Sequence, residues 1–230
     1  MDKILNTQLF GLLTILVFYN ISLYIQKKTQ KPIFNNLLIS IILIILFLKI
    51  TKIPYENFKI GADVINFMLG PVTIVLAVPL YRQFDLLKKH FKEILVGILG
   101  GVVTSFVIVV LVGKLTSTSN EIIYSMIPKS ITTPMGISLV NQLGGVESIT
   151  VVCIIVTGIF GNIFAEQLLK IGRVKHPVAK GIAIGTSAHA LGTSKALEIG
   201  EVEGAMSSLS IGISGVMTVI IVPILINFIG

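Results

Sequence analysis

The sequence predicts an all-α, polytopic integral membrane helical bundle with interrupted or re-entrant helices. Of its 230 residues, 53% are hydrophobic and only 13% charged, about half the charged share of an ordinary soluble domain, and the mean hydropathy is +0.94. Charges are absent from residues 94–112 and 205–229, and residues 122–143 hold only Lys129. At about 1.5 Å per residue, each window can cross a hydrocarbon core of roughly 30 Å. The apolar runs are continuous rather than alternating, which is the pattern of spanning helices and not of a barrel.

Eight apolar segments follow in order: 5–25, 33–48, 64–81, 94–112, 122–143, 149–165, 179–197 and 205–229. The first is too long for a secretory signal, lacks a small-residue cleavage site and is followed by further apolar segments, so it is expected to stay as a helix. The single cysteine, Cys153, lies in an apolar run and excludes an intrachain disulfide and a four-cysteine metal site. Its expected role is packing. With no Trp in the chain, any aromatic belt would rest on residues such as Tyr19, Tyr24, Tyr55 and Tyr81.

The net charge of +7 does not point to nucleic acid, because the cations sit in short clusters between apolar segments. Such clusters mark cytoplasmic loops. They are Lys27, Lys28 and Lys31; Arg82, Lys88, Lys89 and Lys92; and Lys170, Arg173, Lys175 and Lys180. If all eight segments crossed, the third cluster would face the opposite side from the second. One segment between them must therefore turn back, and 122–143 is the best candidate. Pro128, Lys129, Ser130, Thr132, Thr133, Pro134 and Gly136 interrupt both its helix and its apolarity. Irregular backbone at membrane depth survives only where protein or a water-filled cavity satisfies it, so a re-entrant segment implies a site.

A faint internal similarity lays Leu69-Gly-Pro-Val-Thr-Ile-Val-Leu-Ala-Val-Pro-Leu80 on residues 128–139, matching Thr73 with Thr132 and Leu80 with Leu139. Transporters are often built from repeats with corresponding broken helices. Chance likeness between two proline-interrupted segments explains it equally well. The helix breaks expected from these segments are at Gly70, Pro71, Pro128 and Pro134, with a further one at Gly185.

Two constellations carry candidate chemistry. In Ile127-Pro-Lys-Ser-Ile-Thr-Thr-Pro-Met-Gly136, an unwound turn would free backbone N–H groups for an anion beside Lys129. The alternative is a lysine that snorkels to the interface from an ordinary kinked helix. In Lys180-Gly-Ile-Ala-Ile-Gly-Thr-Ser-Ala-His-Ala-Leu-Gly-Thr-Ser-Lys-Ala-Leu-Glu198, Gly181, Gly185 and Gly192 permit close backbone approach. A break at Gly192 would turn His189 and Lys195 towards one cavity, where the histidine binds a carboxylate or relays a proton. The alternative is a structural histidine bonded to a neighbouring helix. Glu198, Glu201 and Glu203 around Gly200 read first as a solvated loop, and otherwise as a cation site or as partners for Lys195. The serines at 207, 208, 210 and 214 fit close helix packing or a cavity wall. No HExxH, GxSxG, Walker lysine or paired cysteines occur, so the chain is not expected to be an enzyme, and neither a cofactor nor a metal is expected.

These residues carry a resemblance. The stretch from Leu69 to Tyr81, Pro128-Lys-Ser-Ile-Thr-Thr-Pro134, Gln142-Leu-Gly-Gly145, the stretch from Ala179 to Glu198 and Glu203-Gly-Ala-Met-Ser-Ser208 resemble the LrgB/CidB family of bacterial membrane proteins, over about residue 61 to the C-terminus. The family core is accordingly expected at 61–230, with 1–60 forming peripheral N-terminal transmembrane helices. The resemblance implies two functional descriptions. One is an antiholin-like or holin-associated protein that modulates murein hydrolase activity and autolysis with a small LrgA/CidA-type membrane partner. The other, from plastid glycolate/glycerate transporters, is transport of small 2-hydroxy or 2-oxo monocarboxylates such as glycolate, glycerate or pyruvate.

Interrupted helices with a lone lysine, hydroxyls and a histidine fit a small-anion site better than a self-assembling pore. The expected substrate contacts are Lys129 as counter-charge, Ser130, Thr132 and Thr133 with their freed amides for the carboxylate, His189 with Gly192 and Thr193 for the 2-oxygen, and Lys195 as second cation or gate. The expected partners are the lipid bilayer, the carboxylate, further copies of the chain and the small LrgA/CidA-type protein, in a bacterial cell membrane.

Overall fold

The computed structural model describes residues 5–29, 34–68, 71, 74–75 and 77–227. Its contacts divide the chain into two compact units, Met1–Val75 and Leu76–Gly230. Leu69, Gly70, Val72, Thr73 and Leu76 of the first copy of the suggested repeat lie outside the described residues; Pro71 is helical and exposed.

The first unit contains α1 (Gln8–Thr29), α2 (Asn36–Thr51) and α3 (Tyr55–Phe67). Asn35 caps α2, its side-chain oxygen accepting from the amides of Leu37 and Leu38 at 2.9 and 3.3 Å. Gly11 on α1 faces Gly61 and the Phe58 carbonyl on α3, a contact that a Cβ at either glycine would prevent. Buried Thr14, Ser22 and Ser40 return their hydroxyls to carbonyls of the preceding turn, so these three hydroxyl protons need no partner from the bilayer.

The second unit contains α4 (Ala77–Arg82), α5 (Phe84–Lys89), α6 (Phe91–Leu115), α7 (Asn120–Met126), a 3₁₀ turn (Ile127–Ser130), α8 (Thr133–Leu143), α9 (Glu147–Ile171), α10 (Pro177–Ile199) and α11 (Glu201–Ile226). With α1, the helices α6, α9 and α11 are long and apolar enough to cross a membrane, at 22, 25, 25 and 26 residues. The apolar α2 is shorter, at 16 residues. Of 64–81, the described residues include the end of α3, helical residues at 71, 74 and 75, and most of α4.

Residues 120–143 form a hairpin. Ser125 on α7 accepts the amide of Val146 at 2.7 Å and its carbonyl accepts the Thr150 hydroxyl at 2.8 Å. A straight helix over those 21 positions would separate Ser125 from Val146 by about 30 Å. The chain reverses where Ile131 (φ −107°, ψ 178°) and Thr132 (φ −70°, ψ 150°) are extended. Pro128 opens the 3₁₀ turn and Pro134 sits in the first turn of α8, where a missing N–H costs no helix bond.

The segment 179–197, expected to cross, is also a hairpin. Its break is at Ala188 (φ −132°, ψ 16°) and His189 (φ 41°, ψ −140°), not at Gly185 or Gly192. Both glycines stay helical and serve packing: Gly185 abuts the Ser207 backbone on α11, while Gly192 abuts Ala188 and Ile184 on the opposite arm. The returning arm brings Ala196 into one apolar cluster with Ile184 and Leu169. Thr193 bonds Ser207 at 2.7 Å, the residue that Gly185 also touches. A straight α10 would hold these arms apart.

The hairpins enter from opposite faces. Gly113 near the end of α6 packs on Ile123 at the start of the first hairpin. His90 before α6 and His176 before α10 have ring centroids 6.1 Å apart, which puts the second and third basic loops on one face, as the charge pattern requires. Arg82 and Glu201 lie 3.8 Å apart, so α11 starts on that face too. The two hairpins meet on α9. Gly136 packs on the Ile154 side chain, and His189 Nε2 is 2.9 Å from the Ile154 carbonyl.

Candidate functional site

A cavity of about 750 Å³ runs from the basic-loop face, between α6 and the first arm of α10, to the tip of the first hairpin. On α6 its wall is Gly97, Gly100, Gly101, Thr104, Ser105 and Ile108, a stripe at the three- and four-residue intervals of one helix face. The opposite wall repeats that spacing with Ala179, Ile182, Ala183, Thr186 and Ser187. Glycine at 101 is needed because a Cβ there would come within 2.6 Å of Thr186 Cγ2. His90, Glu93 and His176 line the mouth.

The floor carries Lys129 and Ser130. The 3₁₀ turn between the two prolines sets both side chains at the hairpin tip. Lys129 Nζ donates to Ser130 Oγ at 3.2 Å, and Ser130 Oγ lies 3.4 Å from Ser105 Oγ. Among the described residues, no carboxylate lies within 4.0 Å of Lys129. The Ser187 hydroxyl is turned back to the Ala183 carbonyl at 2.7 Å. Thr186 Oγ1 is the one buried side-chain polar atom among the described residues that has no hydrogen-bond partner. A hydroxyl buried without a partner costs roughly 1–3 kcal/mol, and a lone ammonium at membrane depth costs more. A small anion entering this cavity would relieve the ammonium directly, and the hydroxyl after a rotation of the Thr186 side chain towards the cavity.

The other residues singled out in the sequence do not line this cavity. Thr132 and Thr133 lie just past the tip, half-buried, and Thr132 gives α8 no side-chain cap. His189 is buried against α9, Thr193 donates to the His189 carbonyl at 2.9 Å, and Gly192 packs between the arms. Lys195 points elsewhere, pairing with Glu166 at 2.8 Å and Glu198 at 3.1 Å. Lys129 and His189 thus occupy the tips of different hairpins. Thr104, Ser105, Thr186 and Ser187 were missed, although the small and polar stripe from Gly97 to Ser105 was legible at helical spacing. Among the described residues, no three His, Cys, Asp or Glu side chains converge as a metal site.

The LrgB-like family matches residues 14–228. Among curated relatives, the antiholin-like protein LrgB of Bacillus mycoides is 37% identical over 225 residues, covering 97% of this chain and 98% of the relative. Proteins of the same name from Bacillus cereus and Bacillus anthracis are 36% identical over the same shares. No solved structure matches significantly. With nearly the whole chain covered, hairpin tips included, this multi-pass membrane protein belongs to the LrgB-like family.

Proposed function

We propose that the protein carries small 2-hydroxy or 2-oxo monocarboxylates, of the glycolate, glycerate and pyruvate class, across the bacterial plasma membrane, binding them at Lys129. The carrying observation is an ammonium without a carboxylate partner at the floor of a cavity, beside Ser130, Ser105 and Thr186. The carboxylate pairs with Lys129 Nζ, the hydroxyl of Ser130 donates to it, and Thr186 Oγ1 meets the 2-oxygen. Two hairpins that enter from opposite faces and meet on α9 suit alternating access, in which a broken-helix tip uncovers the site to one side at a time.

Purified protein in liposomes tests this. Saturable glycolate or pyruvate uptake, abolished in Lys129→Ala, is the expected result; uptake unchanged in Lys129→Ala would overturn the site. The relatives' designation as antiholin-like supports a second reading, which we extend to a regulator of murein hydrolases and autolysis that works with a small membrane partner and has no substrate of its own. Non-saturable flux of unrelated solutes, or none without that partner, would favour it.

A further inference from the structure

A second cavity, of about 610 Å³, opens where α9 ends and both arms of the second hairpin reach the basic-loop face. Its walls combine apolar Leu169, Val174 and Ile199 with Lys170, Arg173 and Lys175. Two carboxylates also line it, but Lys195 holds both Glu166 and Glu198, at 2.8 and 3.1 Å. Lys180 lies 3.7 Å from Glu203. Among the described residues, Lys170, Arg173 and Lys175 have no carboxylate within 4.0 Å. A concave site whose two acids share Lys195, with three cations that no carboxylate contacts and an apolar wall at a membrane face, selects an anion joined to an apolar body.

Arg173 adds an independent sign. Helix α9 closes with the Val174 amide on the Leu169 carbonyl at 2.9 Å, a turn whose left-handed position usually takes glycine. Here Arg173 takes it at φ 54°, while the adjacent Gly172 keeps an ordinary φ of −72°. A residue without conformational need for this position holds it, and Arg173 lines the cavity. That fork suits two oxygens of one phosphate.

We infer that this cavity binds the phosphodiester headgroup of an acidic phospholipid, with Arg173 and Lys175 on the phosphate and Leu169, Val174 and Ile199 against the glycerol and upper acyl region. Such a lipid would tie the second hairpin's open end to α9. The site is separate from the Lys129 cavity and does not depend on carboxylate transport.

The test uses the full chain in detergent, with native mass spectrometry reading retained phosphatidylglycerol, phosphatidylcholine or added inorganic phosphate. Arg173→Gly removes the charge and supplies the residue its turn prefers, so misfolding at the turn does not confound it. Expected is phosphatidylglycerol held in preference to phosphatidylcholine, about fivefold more weakly in Arg173→Gly or Lys175→Gln and about twenty-fivefold in both together. The pair Lys88→Gln and Lys89→Gln, on the neighbouring loop, should leave retention unchanged. Equal loss in that pair would mean general surface attraction and overturn the site. Phosphate bound without any lipid preference would overturn the lipid as its source.

Discussion

The imidazole of His189 occupies the space a side chain at position 158 would fill: a Cβ on Gly158 would lie 2.5 Å from His189 Cε1 and 2.8 Å from Nε2. This fit locks the tip of the second hairpin to α9, with Nε2 2.9 Å from the Ile154 carbonyl. Gly158→Ala is expected to expel the ring and destabilise the protein by about 1–3 kcal/mol. Gly212→Ala, with nothing within 4 Å of the added carbon, should be neutral or stabilising. Melting curves in detergent compare the two, and equal midpoints would contradict the locking contact.

Lys129→Met separates function from folding. Exchanging an ammonium without a carboxylate partner for an apolar chain of similar length removes a desolvation cost of order 1 kcal/mol or more. Carboxylate uptake should vanish while the melting midpoint stays level or rises. A variant that melts lower and still transports would show Lys129 to be a structural residue.

Thr186→Val makes the same comparison for a hydroxyl. Valine keeps the shape and removes the unpartnered oxygen, so the apo protein should gain about 1–2 kcal/mol. If Thr186 meets the 2-oxygen, KM for glycolate should rise about tenfold, while a carboxylate lacking that oxygen should lose little. Uniform losses for both would remove Thr186 from recognition.

The apolar windows and the spacing of basic loops made the long helices legible, and they located the first hairpin, because the loop parity required one segment to turn back and two prolines six residues apart break this one. The second hairpin was hidden. Its turn uses Ala188 and His189, neither a helix breaker, and the three glycines around it suggested breaks where they serve close packing. Propensity could not find a turn imposed by contacts with α9 and α11. The same tertiary information separated the candidate site residues: Lys129 and His189 stand at the tips of different hairpins, and Lys195, beyond the Glu198 that the sequence already offered as a partner, meets Glu166 of α9, which is distant in sequence.

Accessibility labelling decides the topology. In a Cys153→Ser background, single cysteines at Lys89, Lys175 and Glu198 should react from one face, and those at Ser119 and Glu147 from the other. Glu198 is the discriminating position: a spanning α10 would carry it about 34 Å from Lys175, whereas the hairpin returns it to a cavity shared with Lys175. Labelling of Glu198→Cys from the Ser119 face would undo the second hairpin and the shared level of Gly185 and Thr193 on Ser207. Labelling of Glu147→Cys from the Lys175 face would undo the first, because α9 could then no longer connect opposite sides. If all five labels fall as expected, the basic loops, the mouth of the Lys129 cavity and the start of α11 share one face, and the site opens only there in this conformation.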